Sequence, residues 1–551
     1  MTMPRFSTVL IGSESLVIQC GDLLRDAGHA VEAVVTRNAE VETWARAAGI
    51  EVIAPGAGLA DRLAAHSFDW LLSIANLDIL PDEVLARPRR GAVNFHDGPL
   101  PAFAGLNAPV WAAISGATRH GIAWHLVEGG IDEGDILAAA SFEITEDDTA
   151  FSLNAKCYSA AIDSFPALMA ELASPAPRRQ PQDLAGRSYF GRGARPAAGA
   201  LLDFTAPASD LVRVIRALDH GAYWNPLAIP KFEAGGRLWL ARAAHVSQSA
   251  SGAAPGAVVG ADDDVLCIAT GNGDLAITRI TALDGLPAEP STITRVGAIL
   301  PGASVAQIGE IDRGLAPFAR TEPHWRRALD AVARTDIPMV TPAAGPARPL
   351  ARHIAVPDGV TVPELRAAFA LLMARACTAD GIDLALACPP PDGPAAPHLS
   401  DWVPVKLTQT GSFAAMVKAL ADAIDAARAR GPFAADLIAR MPGGPAALPQ
   451  VGLTDDPEAG LVGPSALTLS VADDKVTLYA DGARMSADTL DLYAARLCHL
   501  LAHLDETDTA AALPMLPDAE RQVLLTDWNA TAKSYDPALC VHQAFEAQVR
   551  R

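Results

Sequence analysis

Two rhythms of apolar positions alternate along the first 170 residues or so. Val9-Leu10-Ile11 is a short apolar run closed by Gly12-Ser13, which predicts a buried strand and a turn. Leu16, Cys20, Leu23 and Leu24 then recur at helical spacing, and Gly28 supplies the stop. Val31 to Val35, Asp69 to Ile74 and Gly121 to Val127 read as further buried strands. Strands alternating with helices predict an α/β domain over 1–174, built on a Rossmann-like, doubly wound parallel sheet. No G-x-G-x-x-G follows the first strand, so a dinucleotide site is not indicated.

The pattern then changes. A Pro/Arg/Gln-rich stretch from Ser174 predicts a linker over 175–200. Over 201–335, one helix with Leu211, Val214, Ile215 and Leu218 precedes short strands at Arg237–Ala241, Val265–Thr270 and Leu275–Ile280. A second Pro-rich linker is expected over 336–350, with few core contacts crossing it. Residues 351–512 read as an α/β unit. Its first helix opens on the capping box Thr361-Val-Pro-Glu364, a second follows Ser412, and a third starts at Ser486. Strands are expected at Val403–Leu407, Ala466–Val471 and Lys475–Tyr479.

Composition narrows the function classes. A chain of 551 residues, half of them hydrophobic, holds three or more domains with several cores. Its apolar runs are short and broken, so no membrane span or signal peptide is expected. The seven cysteines are scattered singly without a CxxC, which indicates neither a disulfide framework nor a zinc site and suits the reducing cytosol. The net charge of −21 makes a poor non-specific nucleic-acid binder, although a local basic patch can sit within that total.

The candidate chemistry lies in Gly91-Ala-Val-Asn-Phe-His-Asp-Gly-Pro-Leu-Pro101 and Gly130-Ile-Asp-Glu-Gly-Asp135. Read as two Gly/Pro-bounded loops behind apolar strands, they bring an amide (Asn94), an imidazole (His96) and a carboxylate (Asp132) to bear on one reacting group. The imidazole can take a proton, the carboxylate can orient it, and the amide can donate to a developing oxyanion, as acyl transfer to an amine requires. These motifs, with the Leu100-Pro101-Ala-Phe-Ala-Gly105 turn, resemble the 10-formyltetrahydrofolate-dependent formyltransferase family. The resemblance implies catalytic roles for Asn94, His96 and Asp132, with 10-formyltetrahydrofolate as co-substrate and no metal. Its pterin would sit against loop backbone at Leu77, Ile79, Leu80, Gly129 and Gly130. Read from the pattern alone, Ile79 and Leu80 serve equally as strand-end core. Whether His96 or Asp132 accepts the amine proton stays open. The family also implies a small open β-barrel over 201–335.

The last third resembles one lobe of a condensation domain from a nonribosomal peptide synthetase. Leu365 to Arg375, Val403-Pro-Val-Lys-Leu407 and Leu497-Cys-His-Leu-Leu501 carry that likeness. Residues 513–551, with Trp528-Asn-Ala-Thr and Val541-His-Gln-Ala-Phe, resemble the linker entering an adenylation domain. The condensation family's adjacent His-His pair occurs nowhere, which implies a silent lobe. In the Ala102–Asn107 turn no Arg appears where tRNA-acting relatives carry one, and 201–320 holds nine Lys/Arg against twelve Asp/Glu. The resemblance therefore implies an aminoacyl group on a carrier protein of the same synthetase as acceptor, with no nucleic-acid and no membrane partner. A free small amine, or a non-catalytic docking module, are the competing readings.

Overall fold

The computed structural model describes residues 4–342, 348–409, 411–457, 459–472, 475–507, 509–534 and 536–551. The linker expected over 336–350 therefore lies partly outside the described residues. The chain divides into two compact units. The first holds residues up to Glu322 together with Pro391–Leu399 and Ala434–Gly444; the second holds the remainder.

Seven strands form the first sheet: β1 (Ser7–Ile11), β2 (Ala30–Val35), β3 (Glu51–Ile53), β4 (Trp70–Ser73), β5 (Gly91–His96), β6 (Arg119–Leu126) and β7 (Ile136–Glu143). Their order is β3-β2-β1-β4-β5-β6-β7. β3 to β5 are parallel, as the alternation with helices predicts. The expectation of a wholly parallel sheet needs correction, because β6 runs antiparallel to β5 and β7 antiparallel to β6. The 127–135 connection is too short for a crossover helix, so β7 can only turn back beside β6. Both sheet faces are covered, which explains the near-continuous apolar strands. Leu10 joins a core with Leu16, Cys20, Leu24, Trp124, Phe165 and Leu168 beneath the helices Ser15–Asp26 and Ala150–Ala173. Val9 and Ile11 point oppositely, into a core with Val35, Leu63, Phe68 and Leu71.

The first unit continues as an antiparallel sheet of β8 (Lys231–Ala234), β9 (Arg237–Val246), β10 (Val258–Ala261), β11 (Leu266–Ala269) and β12 (Asp274–Thr281). The order β8-β9-β12-β11-β10 leaves two edges, so the sheet is open. The helix Ala208–Ala217 lays Leu211, Val212 and Ile215 against Phe232, Ile268 and Ile277.

The returning segments complete this unit with charge. Lys231 Nζ lies 2.5 Å from Asp436 Oδ2, and Arg440 holds Glu322 at 2.6 Å and Asp436 at 3.2 Å. Arg195 joins Glu322 at 3.2 Å. Lys231, Glu322, Asp436 and Arg440 are all buried. Burial alone would push the Asp436 carboxyl up, but Lys231 and Arg440 hold it far below the ordinary carboxylate range. Ala434–Gly444, downstream of the Pro-rich linker, thus belongs to the first unit. Buried charges are retained only when paired, and these pairs span the expected boundary.

In the second unit, β13 (Pro349–His353), β14 (Gly381–Ala387), β15 (Trp402–Thr408), β16 (Val451–Thr454), β17 (Leu467–Ala472) and β18 (Lys475–Asp481) form a mixed sheet ordered β13-β18-β17-β16-β14-β15. The helix Val362–Ala376 starts at the Thr361–Glu364 capping box and is buried over most of its length. The helices Phe413–Arg430 and Ala487–Ala502 begin after Ser412 and Ser486. Among the described residues, no helix is long and apolar enough to cross a membrane.

Candidate active site

Asn94 and His96 sit on β5 itself, not in the loop expected for them. Their strand pairs on both sides, Ser73 with Asn94 and His96 with Ala123, and this keeps the backbone extended to the motif's end. Two residues apart, they share a sheet face. Phe95, between them, points into the core and meets Trp124 at 5.1 Å.

The antiparallel register places His125 directly opposite Asn94. Opposed residues share a face, so a second imidazole joins the site. His125 Nδ1 donates to the Leu126 carbonyl at 2.9 Å. Its Nε2 lies 3.2 Å from the Asn94 amide nitrogen and 3.4 Å from Asp132 Oδ1. The sequence reading gave His125 no role. The signal was present in the alternation along β6, but it became usable only with the antiparallel pairing to β5.

Asp132 reaches the two imidazoles from the loop between β6 and β7. Its Oδ2 stands 3.6 Å from His96 Nδ1 and accepts the Gly105 N–H at 2.8 Å. Its backbone is left-handed, with φ +57°. Burial pushes its carboxyl up, but the neighbouring His125 and His96 imidazoles and the Gly105 N–H together hold it below the ordinary carboxylate range. His96 is buried, and its Nε2 donates to the Phe103 carbonyl at 2.9 Å. This fixes Nδ1 as the nitrogen that faces Asp132. Gly98 is required here, since a Cβ would stand 2.6 Å from His96 Nε2.

The residues expected at the pterin lie on two loops. Leu77 and Ile79 follow β4 and are 68% and 81% exposed, which removes the strand-end core role for Ile79. Leu80 is half-buried against the core under that loop. Gly129 (φ +72°) and Gly130 lie exposed in the Asp132 loop, where the Gly130 N–H donates to Glu133. Exposed Ile131 adds a third apolar side chain. Asn107 is the N-cap of the helix Ala108–Ile114, with φ +60°. Among the described residues, no group of three or more His, Cys, Asp or Glu is placed to hold a metal ion.

An imidazole with one nitrogen fixed, a carboxylate shared by two imidazoles and an amide with a spare N–H can move a proton and stabilise an oxyanion at one point. Residues 52–168, which contain all four groups, match the formyl transferase family, and residues 197–295 match the formyl transferase C-terminal domain. Two stretches of the chain thus match the two domains of a formyl transferase. Over 211 residues it is 33% identical to the methionyl-tRNA formyltransferase of Chromobacterium violaceum, a match covering 38% of this chain and 64% of that protein. The chain thus spans just under two thirds of the length of that curated relative. Two solved structures are also similar. One is a sugar 3N-formyl transferase with dTDP and 5-N-formyl-THF, at 15% identity and TM-score 0.40, covering 50% of this chain and 97% of that one. The other is an N-formyltransferase from Helicobacter canadensis with folinic acid and dTDP-3-aminofucose, at 15% identity and TM-score 0.41, covering 50% and 99%. The matched stretches stop at 168 and resume at 197, so 169–196 lies between the two matched domains.

Proposed function

We propose that the chain transfers the formyl group of 10-formyltetrahydrofolate to the α-amine of an aminoacyl group on a carrier-protein phosphopantetheine arm. The observation that carries formyl transfer is the convergence of Asn94, His96, His125 and Asp132 inside the matched domain. A neutral amine attacks the formyl carbon, and a tetrahedral oxyanion forms. Asn94 carries two amide hydrogens; one faces His125, which leaves the other for the oxyanion. The amine proton passes to His96, beside the ionised Asp132 carboxylate, and is returned to N10 as the oxyanion collapses and the C–N10 bond breaks, which releases the formylated amine and tetrahydrofolate.

Three features support the carrier-bound acceptor. The Ala102–Asn107 turn holds no basic residue, the chain is strongly acidic, and residues past 350 resemble synthetase parts. The methionyl-tRNA formyltransferase match favours a tRNA acceptor instead. One assay separates them: the same aminoacyl group is offered on a carrier protein and on tRNA at two salt concentrations, and formylation is read by mass. Carrier formylation with a shallow salt dependence is expected. Preferential tRNA formylation that fades steeply with salt would overturn the acceptor and leave the chemistry standing. No turnover of 10-formyltetrahydrofolate with either acceptor or a free amine would overturn both.

A further inference from the structure

The stretch between the two matched formyl transferase domains does more than connect them. Gln180 and Ile136 exchange backbone hydrogen bonds, both at 2.9 Å. Ser188 Oγ accepts from the Phe103 N–H at 2.8 Å, and its carbonyl accepts from Ala104. Phe190 O accepts from Leu106, and Arg187 donates to the Ile131 carbonyl at 2.9 Å. The 102–106 turn and the 131–136 loop, which meet at the Asp132 carboxylate, are therefore both bound to one strip of backbone.

Gln182 sits at the centre of this strip. Its Nε2 donates one hydrogen to the Asp132 carbonyl at 2.9 Å and the other to the Gly134 carbonyl at 2.7 Å. The amide orientation follows from these partners, because a flipped amide would set its oxygen against two carbonyls. Its Oε1 is buried and has no hydrogen-bond partner among the described residues, so the side chain gives up an acceptor's bond to place its two donors. One of the two carbonyls it holds belongs to Asp132 itself, whose backbone is left-handed. The loop also has little room to shift, since a Cβ at Gly134 would fall 1.8 Å from the Leu126 carbonyl.

We propose that Gln182 is a positioning residue for formyl transfer: through the Asp132 and Gly134 carbonyls it holds the Asp132 carboxylate between His96 and His125. The proposal rests on the formyl-transfer reading above. It acts through backbone, so it should affect the chemical step more than co-substrate binding.

The test uses the full chain with Gln182→Met, which keeps the length and removes both donors, and Gln182→Glu, which keeps the shape and cannot donate when ionised. Expected for both is a fall in kcat on the order of 10²-fold, with KM for 10-formyltetrahydrofolate within about threefold and circular dichroism unchanged. The Asp132 carboxyl, followed by carbon-13 NMR, should titrate higher than in the unsubstituted protein as its partners draw away. Unchanged kcat would overturn the proposal. A kcat loss with unchanged Asp132 titration would also overturn it, as would failure of both variants to fold, since either outcome makes the role purely structural. If the unsubstituted protein never turned over formylfolate, the functional reading would fail, and the NMR titration would still decide the positioning role.

Discussion

His96, Asn94 and Asp132 contribute little apolar burial, so their loss should lower activity far more than stability. His96→Ala, Asn94→Ala and Asp132→Asn should each lower formyl transfer by at least ~10²-fold, and double variants should lose little more than single ones. Near-wild-type turnover in His96→Ala with an unaltered melting profile would remove His96 from the chemistry. Asp132 also carries a pH signature. Its folded pKa lies below the unfolded value, so its contribution to stability is present above about pH 4 and is lost as pH falls through the folded value. The Asp132→Asn variant should therefore melt below the unsubstituted protein at neutral pH and converge with it in acid. A melting gap that stayed constant down to about pH 2 would contradict the charge pairing. The three residue types were legible from sequence because N-x-H and a distant Asp stand inside a long motif. His125 and Gln182 were not. Each earns its place from a partner far along the chain, Asn94 across the sheet for His125 and the Asp132 loop for Gln182.

Element boundaries were legible where local chemistry writes them. The Thr361–Glu364 capping box starts a helix, and the helix Ser15–Asp26 gives way to Gly28 at φ +82°. Strand direction was not legible, since an apolar run reads the same whichever way its neighbour points; β6 is the example. The return of Pro391–Leu399 and Ala434–Gly444 to the first unit was not legible either. A Pro-rich segment signals a break in local structure, yet Asp436 and Arg440 return beyond it to neutralise Lys231 and Glu322. Removing one partner from a buried pair is costly, so Arg440→Ala should destabilise the first unit by about 3–5 kcal/mol, measured by urea unfolding. A change under about 1 kcal/mol would mean that water reaches the cluster. By the same argument, cutting the chain at Pro349 should yield an unstable, poorly soluble fragment; a stable, active one would show that the ionic cluster is dispensable.

At the scale of the whole molecule, charge and missing motifs carry the remaining expectations. With a net charge of −21, association with a polyanion needs a local basic patch, and the nine basic residues in 201–320 are outnumbered by acidic ones. Without a His-His pair, the chain should form no amide bond between two carrier-bound acyl groups. Mass spectrometry of paired loaded carriers tests this directly, and any dipeptidyl product would refute it.

The route of the chain through the first unit bears on how the protein is made. Arg440 lies about 120 residues beyond Glu322, and ribosomes add roughly 5–20 residues per second. Glu322 and Lys231 therefore wait on the order of ten seconds after synthesis before their buried counter-charges emerge. Through that interval Lys231 has no counter-charge and Glu322 has only Arg195 where the interior of the first unit should close, a state that invites chaperone binding and proteolysis. Nascent chains stalled at residue 400 should be cut by protease within 195–322, and those stalled at residue 500, with Arg440 clear of the exit tunnel, should be protected there.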